Sequence, residues 1–291
     1  METMVIHLLN SLLYSSVLFL IAGGLSLIYG VMRIVNLAHG NLYAFGAYVT
    51  AWTVGLVAAG APTAVLLAVL PAGALAAAAA GALLEPTLLR PFYKRAEEYQ
   101  LLVTFGLLMI IDDVIRFLWG PYPLSASVLF ENFGSLSLGE SIYPTYNFLV
   151  IAVGGLAAVF LWAFIYKTRF GVVLRATSQD MRMAAALGVN VNRVYVQAFT
   201  LGCFMAGLGG AIIVPSQSAV LGMGVDALIL AFIVVVIGGL GSLEGALVGA
   251  LIVGIVREMG ITWFPEVELA VLYLIAALVL LVRPAGIFGR P

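Results

Sequence analysis

Apolar runs separated by short polar stretches dominate the chain from end to end. Nine of these runs approach or exceed the roughly 20 apolar residues that a membrane-spanning α-helix needs. They cover residues 5–30, 41–59, 62–84, 100–119, 147–166, 195–214, 227–243, 246–262 and 268–282. The pattern predicts an all-α fold, a polytopic transmembrane helical bundle of about eight or nine membrane segments. We expect one transmembrane domain over residues 1–291.

Two of the nine runs are short. The runs at 227–243 and 246–262 lie at the lower end of the spanning length, and only Glu244 and Gly245 separate them. We therefore expect these segments to be tilted, broken or re-entrant. The alanine-rich stretch at 72–82 instead fits a long helix with a face for close packing.

The composition supports a membrane protein. The chain is 63% hydrophobic and only 9% charged, whereas soluble domains carry roughly 25% charged residues. Its 32 glycines suit helices that pack closely through small residues. The single cysteine, Cys203, excludes an intrachain disulfide.

Basic residues predict the orientation, because loops rich in Lys and Arg stay in the cytoplasm. Three basic clusters stand out: Arg90, Lys94 and Arg95; the five basic residues of 167–193; and Arg283 with Arg290. The connector at 120–146 holds Glu131 and Glu140 but no basic residue. Nine crossings, with the N-terminus outside and the C-terminus cytoplasmic, place all three clusters inside.

A polar stretch lies between the first two apolar runs. Asn36, His39 and Asn41 fall within six residues, and Gly40 is expected to interrupt the helix beside them. Polar groups at membrane depth usually face a partner or a water-filled path, and broken helices often bind solutes. This stretch is our candidate for the translocation path. The alternative is a plain cytoplasmic turn, which the basic Arg33 equally favours.

A glycine-rich stretch near residue 245 is a second candidate. Gly241, Gly245 and Gly249 repeat at four-residue spacing, the pattern that lets helices approach closely. Glu244 lies among them, either as a functional carboxylate or simply at the aqueous edge of a packed helix. Further along, Arg257 and Glu258 are interpreted as an interfacial ion pair.

The basic loop, residues 167–194, is the longest polar stretch of the chain. Thr177-x-x-Asp180 predicts a helix start with Thr177 or Ser178 as the cap, and Gly188 predicts its end. Between them a small apolar stripe recurs at helical spacing, formed by Met181, Ala184, Ala185 and Gly188. Such a helix can lie on the membrane or enter a groove of a soluble partner. The small side chains favour the groove, since a membrane-surface helix prefers bulky apolar residues.

Signatures of enzymes are missing from the sequence. It contains no phosphate-binding loop motif and no cluster of His, Cys and acidic residues at metal-ligand spacing. We expect no enzyme activity, cofactor or metal in this chain. Asp112 and Asp113, with Arg116 one turn later, form either an intramembrane ion site or an internally neutralised structural cluster.

Three motifs together resemble those of the LivH-type inner-membrane permeases of branched-chain amino acid ABC importers. They are IVNLAHGNLYAFGAY, ATSQDMRMAAALGVNVNRV and VVVIGGLGSLEGALVGALIVG, and the ending LVRPAGIFGR also fits. The resemblance covers essentially the whole chain. It is specific for the family and much less so for the solute, since relatives carry amino acids, amides, urea and small carboxylates.

The resemblance implies a set of partners in a bacterial-type inner membrane. These are a paralogous second permease, two cytoplasmic ATPases that bind ATP and Mg, a periplasmic solute-binding protein and membrane lipid, with no nucleic acid. The helix at about 178–188 would be the coupling helix, with Asp180, Ala184 and Gly188 on the face that docks into an ATPase. The stretch from Asn36 to Tyr43 would line the path. A stand-alone secondary transporter or channel, or a structural membrane protein, remains the alternative.

Overall fold

The computed structural model describes residues 2–58, 60–139, 141–263 and 265–289, so that Glu140 and Arg290 lie outside the described residues. The α-helices are α1 (Glu2–Met32), α2 (His39–Val57), α3 (Thr63–Val69), α4 (Pro71–Leu84), α5 (Glu97–Trp119), α6 (Ser127–Phe133), α7 (Tyr146–Lys167), α8 (Arg169–Gln179), α9 (Met181–Ala186), α10 (Val191–Ile213), α11 (Met223–Gly238), α12 (Leu243–Trp263) and α13 (Glu268–Val282). A π-helical turn (Glu85–Leu89) and a 3₁₀ turn (Arg90–Phe92) extend α4. Two short strands, β1 (Ser135–Leu138) and β2 (Ser141–Pro144), form an antiparallel hairpin.

The polytopic helical bundle is confirmed. Each of the nine predicted runs contains a helix. Five described helical stretches are long and apolar enough to cross a membrane: Thr3–Met32, Thr63–Phe92, Tyr146–Lys167, Val191–Ile213 and Leu243–Trp263. The shorter apolar helices are α11 and α13. The exact number of complete crossings stays a prediction.

The expected break at Glu244 and Gly245 is wrong. Both residues lie inside α12, which has 21 residues and is long enough to span. The chain turns instead at Gly239 and Gly241, whose φ angles of 110° and 79° lie in the region that favours glycine. Glycine at these two positions therefore ends α11 and lets α12 begin.

Helix α10 forms the centre of the bundle and packs against α1, α2 and α4. The alanine-rich stretch of α4 provides the close contact with α10, because its Gly73, Ala74, Ala77 and Gly81 are buried. A side chain at Gly81 would meet Cys203 Sγ on α10 at 2.5 Å. Small residues thus bring the two helical backbones together, as the sequence predicts.

The connector between α5 and α7 is structured, which the apolar pattern does not reveal. It holds α6 and the hairpin, and Leu124 forms a β-bridge with Ala219, in the segment after α10. The strands are only four residues long, too short for a visible alternation of apolar and polar positions.

The predicted Arg257–Glu258 pair is wrong. Arg257 Nε donates to Glu268 Oε1 at 2.9 Å, whereas Glu258 Oε1 accepts from Asn10 Nδ2 at 3.0 Å and pairs with His7 Nδ1 at 3.0 Å. Neighbouring residues of a helix point to different faces. The two charges consequently join α12 to two different helices, α13 and α1.

Candidate functional site

The link between α1 and α2 runs through the protein interior. Arg33 leaves α1 with a positive φ of 54°, and Asn36 is completely buried. Asn36 Oδ1 accepts from the Ala38 amide at 3.1 Å, which forms the turn that starts α2. On α5, Thr104 Oγ1 donates to the Val35 carbonyl at 3.3 Å. Side chains thus satisfy part of the backbone of this non-helical and largely buried segment.

His39 and Asn41 lie on the first turn of α2, at 0% and 1% exposure. His39 Nε2 donates to the Ile21 carbonyl of α1 at 3.0 Å, since a carbonyl can only accept. Asn41 Nδ2 donates to the Leu108 carbonyl of α5 at 2.6 Å. The three candidate side chains therefore face protein, and they do not form a turn on a surface.

Gly40 does not interrupt the helix, contrary to the expectation. It lies in the first turn of α2, and the break is the preceding segment at 33–38. A side chain at Gly40 would meet the Gly224 carbonyl oxygen and, at 2.7 Å, Leu228 Cβ. Glycine here allows the starts of α2 and α11 to touch, backbone to backbone.

Three buried polar atoms of this cluster have no hydrogen-bond partner among the described residues. They are Asn36 Nδ2, His39 Nδ1 and Asn41 Oδ1. With the proton of His39 on Nε2, the set offers one donor and two acceptors. An unpaired buried polar group costs about 1–3 kcal/mol, and five further buried side-chain atoms of the described residues, among them Tyr48 Oη and Asn147 Oδ1, are unpaired in the same way. The buried ring of Tyr43 lies on the same helix, one turn away.

Of the two interpretations of Asp112, Asp113 and Arg116, the internally neutralised cluster is not supported, because no ion pair among the described residues includes them. The ion pairs among the described residues are His7–Glu258, Arg90–Glu85 and Arg257–Glu268. Asp113 and Arg116 are exposed and Asp112 is half-buried. Since Leu108 contacts Asn41, the charged face of α5 begins one helical turn beyond the buried polar cluster.

The basic loop contains two helices, where the sequence predicted one at about 178–188. Helix α8 runs to Gln179, so Thr177 and Ser178 are helical and do not cap anything. The cap of α9 is Asp180, whose Oδ1 accepts from the Met183 amide at 2.9 Å. The predicted helix start at Thr177 therefore lies in the last turn of α8, and the six-residue α9 begins only after Asp180.

The predicted docking stripe does not lie on one exposed face. Asp180 precedes α9, and Gly188 follows it with a φ of 87°, both exposed. Ala185 is exposed, but Ala184 is 4% exposed and faces the protein. The bulkier Met183 and Leu187 are 58% and 78% exposed. Sequence reasoning missed both, since it looked for small residues.

The three glycines at 241, 245 and 249 do not share one helix face, because Gly241 lies in the turn before α12. Gly245 packs against Gly238, and Gly249 packs against the Val234 carbonyl, both on α11. Gly241 contacts Gly30 on α1. Glu244 is exposed. These positions serve the packing of α12, with Glu244 at its edge.

A shallow groove of about 160 Å³ opens elsewhere, between α1, α7 and α12. Its lining includes Phe19, Gly154 and Leu247 and none of the candidate path residues. In the part of the chain that the structure describes, no three His, Cys, Asp or Glu side chains are grouped so that they could hold a metal ion.

Comparison with known proteins gives a match over nearly the whole chain. The family model described as "Branched-chain amino acid transport system / permease component" matches residues 7–282. The high-affinity branched-chain amino acid transport system permease protein BraD of Pseudomonas aeruginosa is 29% identical, over 98% of this chain and 95% of its own. LivH of Escherichia coli is 30% identical with the same two coverages. LivM of Escherichia coli is 25% identical over 94% of this chain and 68% of its own.

Proposed function

The chain belongs to the family of permease components of branched-chain amino acid transport systems, and we propose that it is the membrane subunit of an ATP-driven importer. The solute is a branched-chain amino acid or a related small amide or carboxylate. The match along residues 7–282 carries this proposal, since it spans all nine apolar segments. The subunit itself is a transport component and hydrolyses no ATP.

The proposed complex contains a second, paralogous permease. The similarity to both LivH and LivM of one organism supports this, because both are named as permease proteins of the same kind of system. Two ATPases on the cytoplasmic side would supply energy, with ATP and Mg bound there. A periplasmic binding protein would deliver the solute. These partners follow from the importer proposal.

We place the solute path at the start of α2, along Asn36, His39, Gly40, Asn41 and Tyr43. The support is chemical: two unpaired acceptors suit an ammonium group, and one unpaired donor suits a carboxylate or amide oxygen. Three helices surround this set: His39 packs on α1, Asn41 Nδ2 donates to α5, and Asn41 Oδ1 lies beside Gly224 of α11. Movement of α5 or α11 away from the start of α2 would open Asn41 to solute.

The exposed charges of α5 support a path beside this helix. A charge facing hydrocarbon costs at least ~2.5 kcal/mol near the bilayer centre. Asp113 and Arg116 are exposed in the isolated chain, and no ion pair among the described residues includes them. We therefore place this face of α5 against the second permease or against water in the path between the two subunits.

For ATPase docking we propose the surface around α9. The exposed, apolar Met183 and Leu187 lie beside Ala185 and Gly188, on α9 and the turn that ends it, between basic flanks. Apolar side chains this exposed in a polar loop suit a protein groove. Asp180 stabilises the helix start, and Gly188 allows its sharp end.

Co-purification tests the importer proposal against the alternative, a secondary transporter or channel that acts alone. The tagged chain would be expressed with the genes that neighbour its own and purified in mild detergent. We expect stoichiometric recovery of a second permease and two ATPases. A chain that comes out alone and still moves solute without ATP contradicts the proposal.

A further inference from the structure

A side-chain hydrogen bond connects helix α9 to α10. Met181 Sδ of α9 accepts a hydrogen bond from Tyr195 Oη, near the start of α10, at 3.1 Å. Among the described residues, this is the side-chain hydrogen bond that ties α9 to another helix. Tyr195 is 8% exposed, so its ring is fixed by packing while its hydroxyl reaches the loop.

Tyr195 in turn packs on a polar cluster formed by the buried Glu85 and the half-buried Arg90 and Tyr93. The ring of Tyr93 meets it edge to face, with centroids 5.4 Å apart and an interplanar angle of 76°. Tyr93 Oη donates to Glu85 Oε1 at 2.6 Å, and Arg90 Nη2 donates to Glu85 Oε2 at 2.7 Å. Both oxygens of this completely buried carboxylate are thus occupied.

Tyr93 keeps its hydroxyl proton. Burial, followed by the hydrogen bond to Glu85, raises the pKa of Tyr93 well above its usual value. Tyr93 therefore remains a hydrogen-bond donor throughout the physiological range. A buried carboxylate with two charge-assisted or short hydrogen bonds holds its neighbours in one geometry.

Glu85 begins the π-helical turn that continues α4. One turn earlier, Gly81 lies against Cys203 of α10, and two turns before that, Gly73 lies against the Gly46 carbonyl of α2. The same helix therefore leads into the cluster of Glu85, Arg90 and Tyr93 at its end and contacts α2 in the interior. Helices that pack this closely move as a unit, because close-packed interiors transmit displacement.

We propose that Tyr195, Tyr93 and Glu85 are positioning residues that connect the ATPase-docking helix α9 to α4, and through it to α2. This inference rests on the proposed function, because it assigns α9 to the ATPase. A displacement of α9 would reach α4 through Met181, the two tyrosine rings and the carboxylate. No residue of this link needs to touch solute or ATPase.

The test uses the complete importer in proteoliposomes with its binding protein. Tyr195→Phe keeps the ring contact and removes only the donor to Met181, and Tyr93→Phe removes only the donor to Glu85. We expect normal ATPase retention and about fivefold lower uptake per ATP hydrolysed for each, the factor expected from the loss of one hydrogen bond. Tyr99→Phe, at an exposed tyrosine on the first turn of α5, is the matched control and leaves this ratio unchanged.

A double-mutant cycle separates the link from general damage. Met181→Leu removes the sulfur acceptor, so the double variant Met181→Leu/Tyr195→Phe should show no further loss of coupling beyond either single variant. Additive losses, or single variants with wild-type uptake per ATP, overturn the inference. If the wild-type chain itself retains no ATPase, the proposed function fails. If the wild-type complex assembles and transports, but the variants match its uptake per ATP, only the proposed link fails.

Discussion

The side-chain amide of Asn41 is hydrogen-bonded through its nitrogen but not through its oxygen. Its Nδ2 donates to the Leu108 carbonyl, whereas its Oδ1 is buried without a partner among the described residues. The carbonyl of Leu108 also belongs to the interior of α5, where helical hydrogen bonding supplies it with a donor. Loss of the hydrogen bond from Asn41 would therefore leave the Leu108 carbonyl with its helical donor.

Replacement of Asn41 by Leu should consequently harm transport more than stability. We expect the loss of one hydrogen bond to cost about 1 kcal/mol of unfolding free energy, with assembly and ATPase retention intact and uptake lost. Thr53→Val, on the same helix but bonded only within it, serves as the control. If Asn41→Leu transports normally per assembled complex, Asn41 does not line the path.

Gly40 is essential for packing, and its matched control lies on the same helix. Gly40→Ala places a methyl group against the Gly224 carbonyl, which belongs to a backbone and cannot move aside cheaply. Overpacking of this kind costs about 1–3 kcal/mol, which lowers the melting temperature in detergent. Gly55→Ala has nothing within 4 Å and should be neutral or slightly stabilising. Equal melting temperatures for the two variants would contradict the close contact of α2 and α11.

Among the helices, α9 is so short that its stability depends on its N-cap, Asp180. Asp180→Ala removes the hydrogen bond to the Met183 amide and should cost about 1 kcal/mol. Since six residues cannot form a stable helix alone, we expect α9 to loosen and the ATPases to be partly lost on purification. Asp180→Asn keeps the cap and should retain them. Retention by the alanine variant at the wild-type level would show that α9 is not the docking element.

Sequence reasoning located the helices well and their junctions poorly. Long apolar runs predict helices because the bilayer demands a length, and each run does contain one. The break between α11 and α12 was misplaced because it depends on the φ angles of Gly239 and Gly241, and many glycines of the chain are helical instead. The start of α9 was misplaced because Thr177 and Asp180 are both good caps.

Among the candidate site residues, those with a local sequence signal were predicted, and those defined by distant contacts were not. Asn36, His39 and Asn41 were found because polar side chains inside apolar runs are conspicuous, and the structure buries all three. The roles of Arg257 and Glu258 were misjudged because their partners lie on other helices, far away in sequence. Glu85 and Tyr93 escaped notice for the same reason, since a contact that needs tertiary folding leaves no local pattern.

For the whole molecule, the distribution of basic residues predicts the orientation, which labelling can test. Val172→Cys, exposed on α8 in the basic loop and outside the proposed docking surface, should react with a membrane-impermeant maleimide only after the cells are permeabilised. Ser137→Cys, exposed in the hairpin, should react in intact cells. The native Cys203 is buried and should stay unlabelled in both cases. The reverse pattern would place the N-terminus in the cytoplasm.

The most direct test of the central claim is uptake of radiolabelled leucine by proteoliposomes that contain the purified complex. The account predicts uptake that requires both ATP inside the vesicles and the binding protein outside, and that stops when ATP is replaced by a non-hydrolysable analogue. Uptake of the same size by the permease chain alone, without ATP or ATPases, would contradict it.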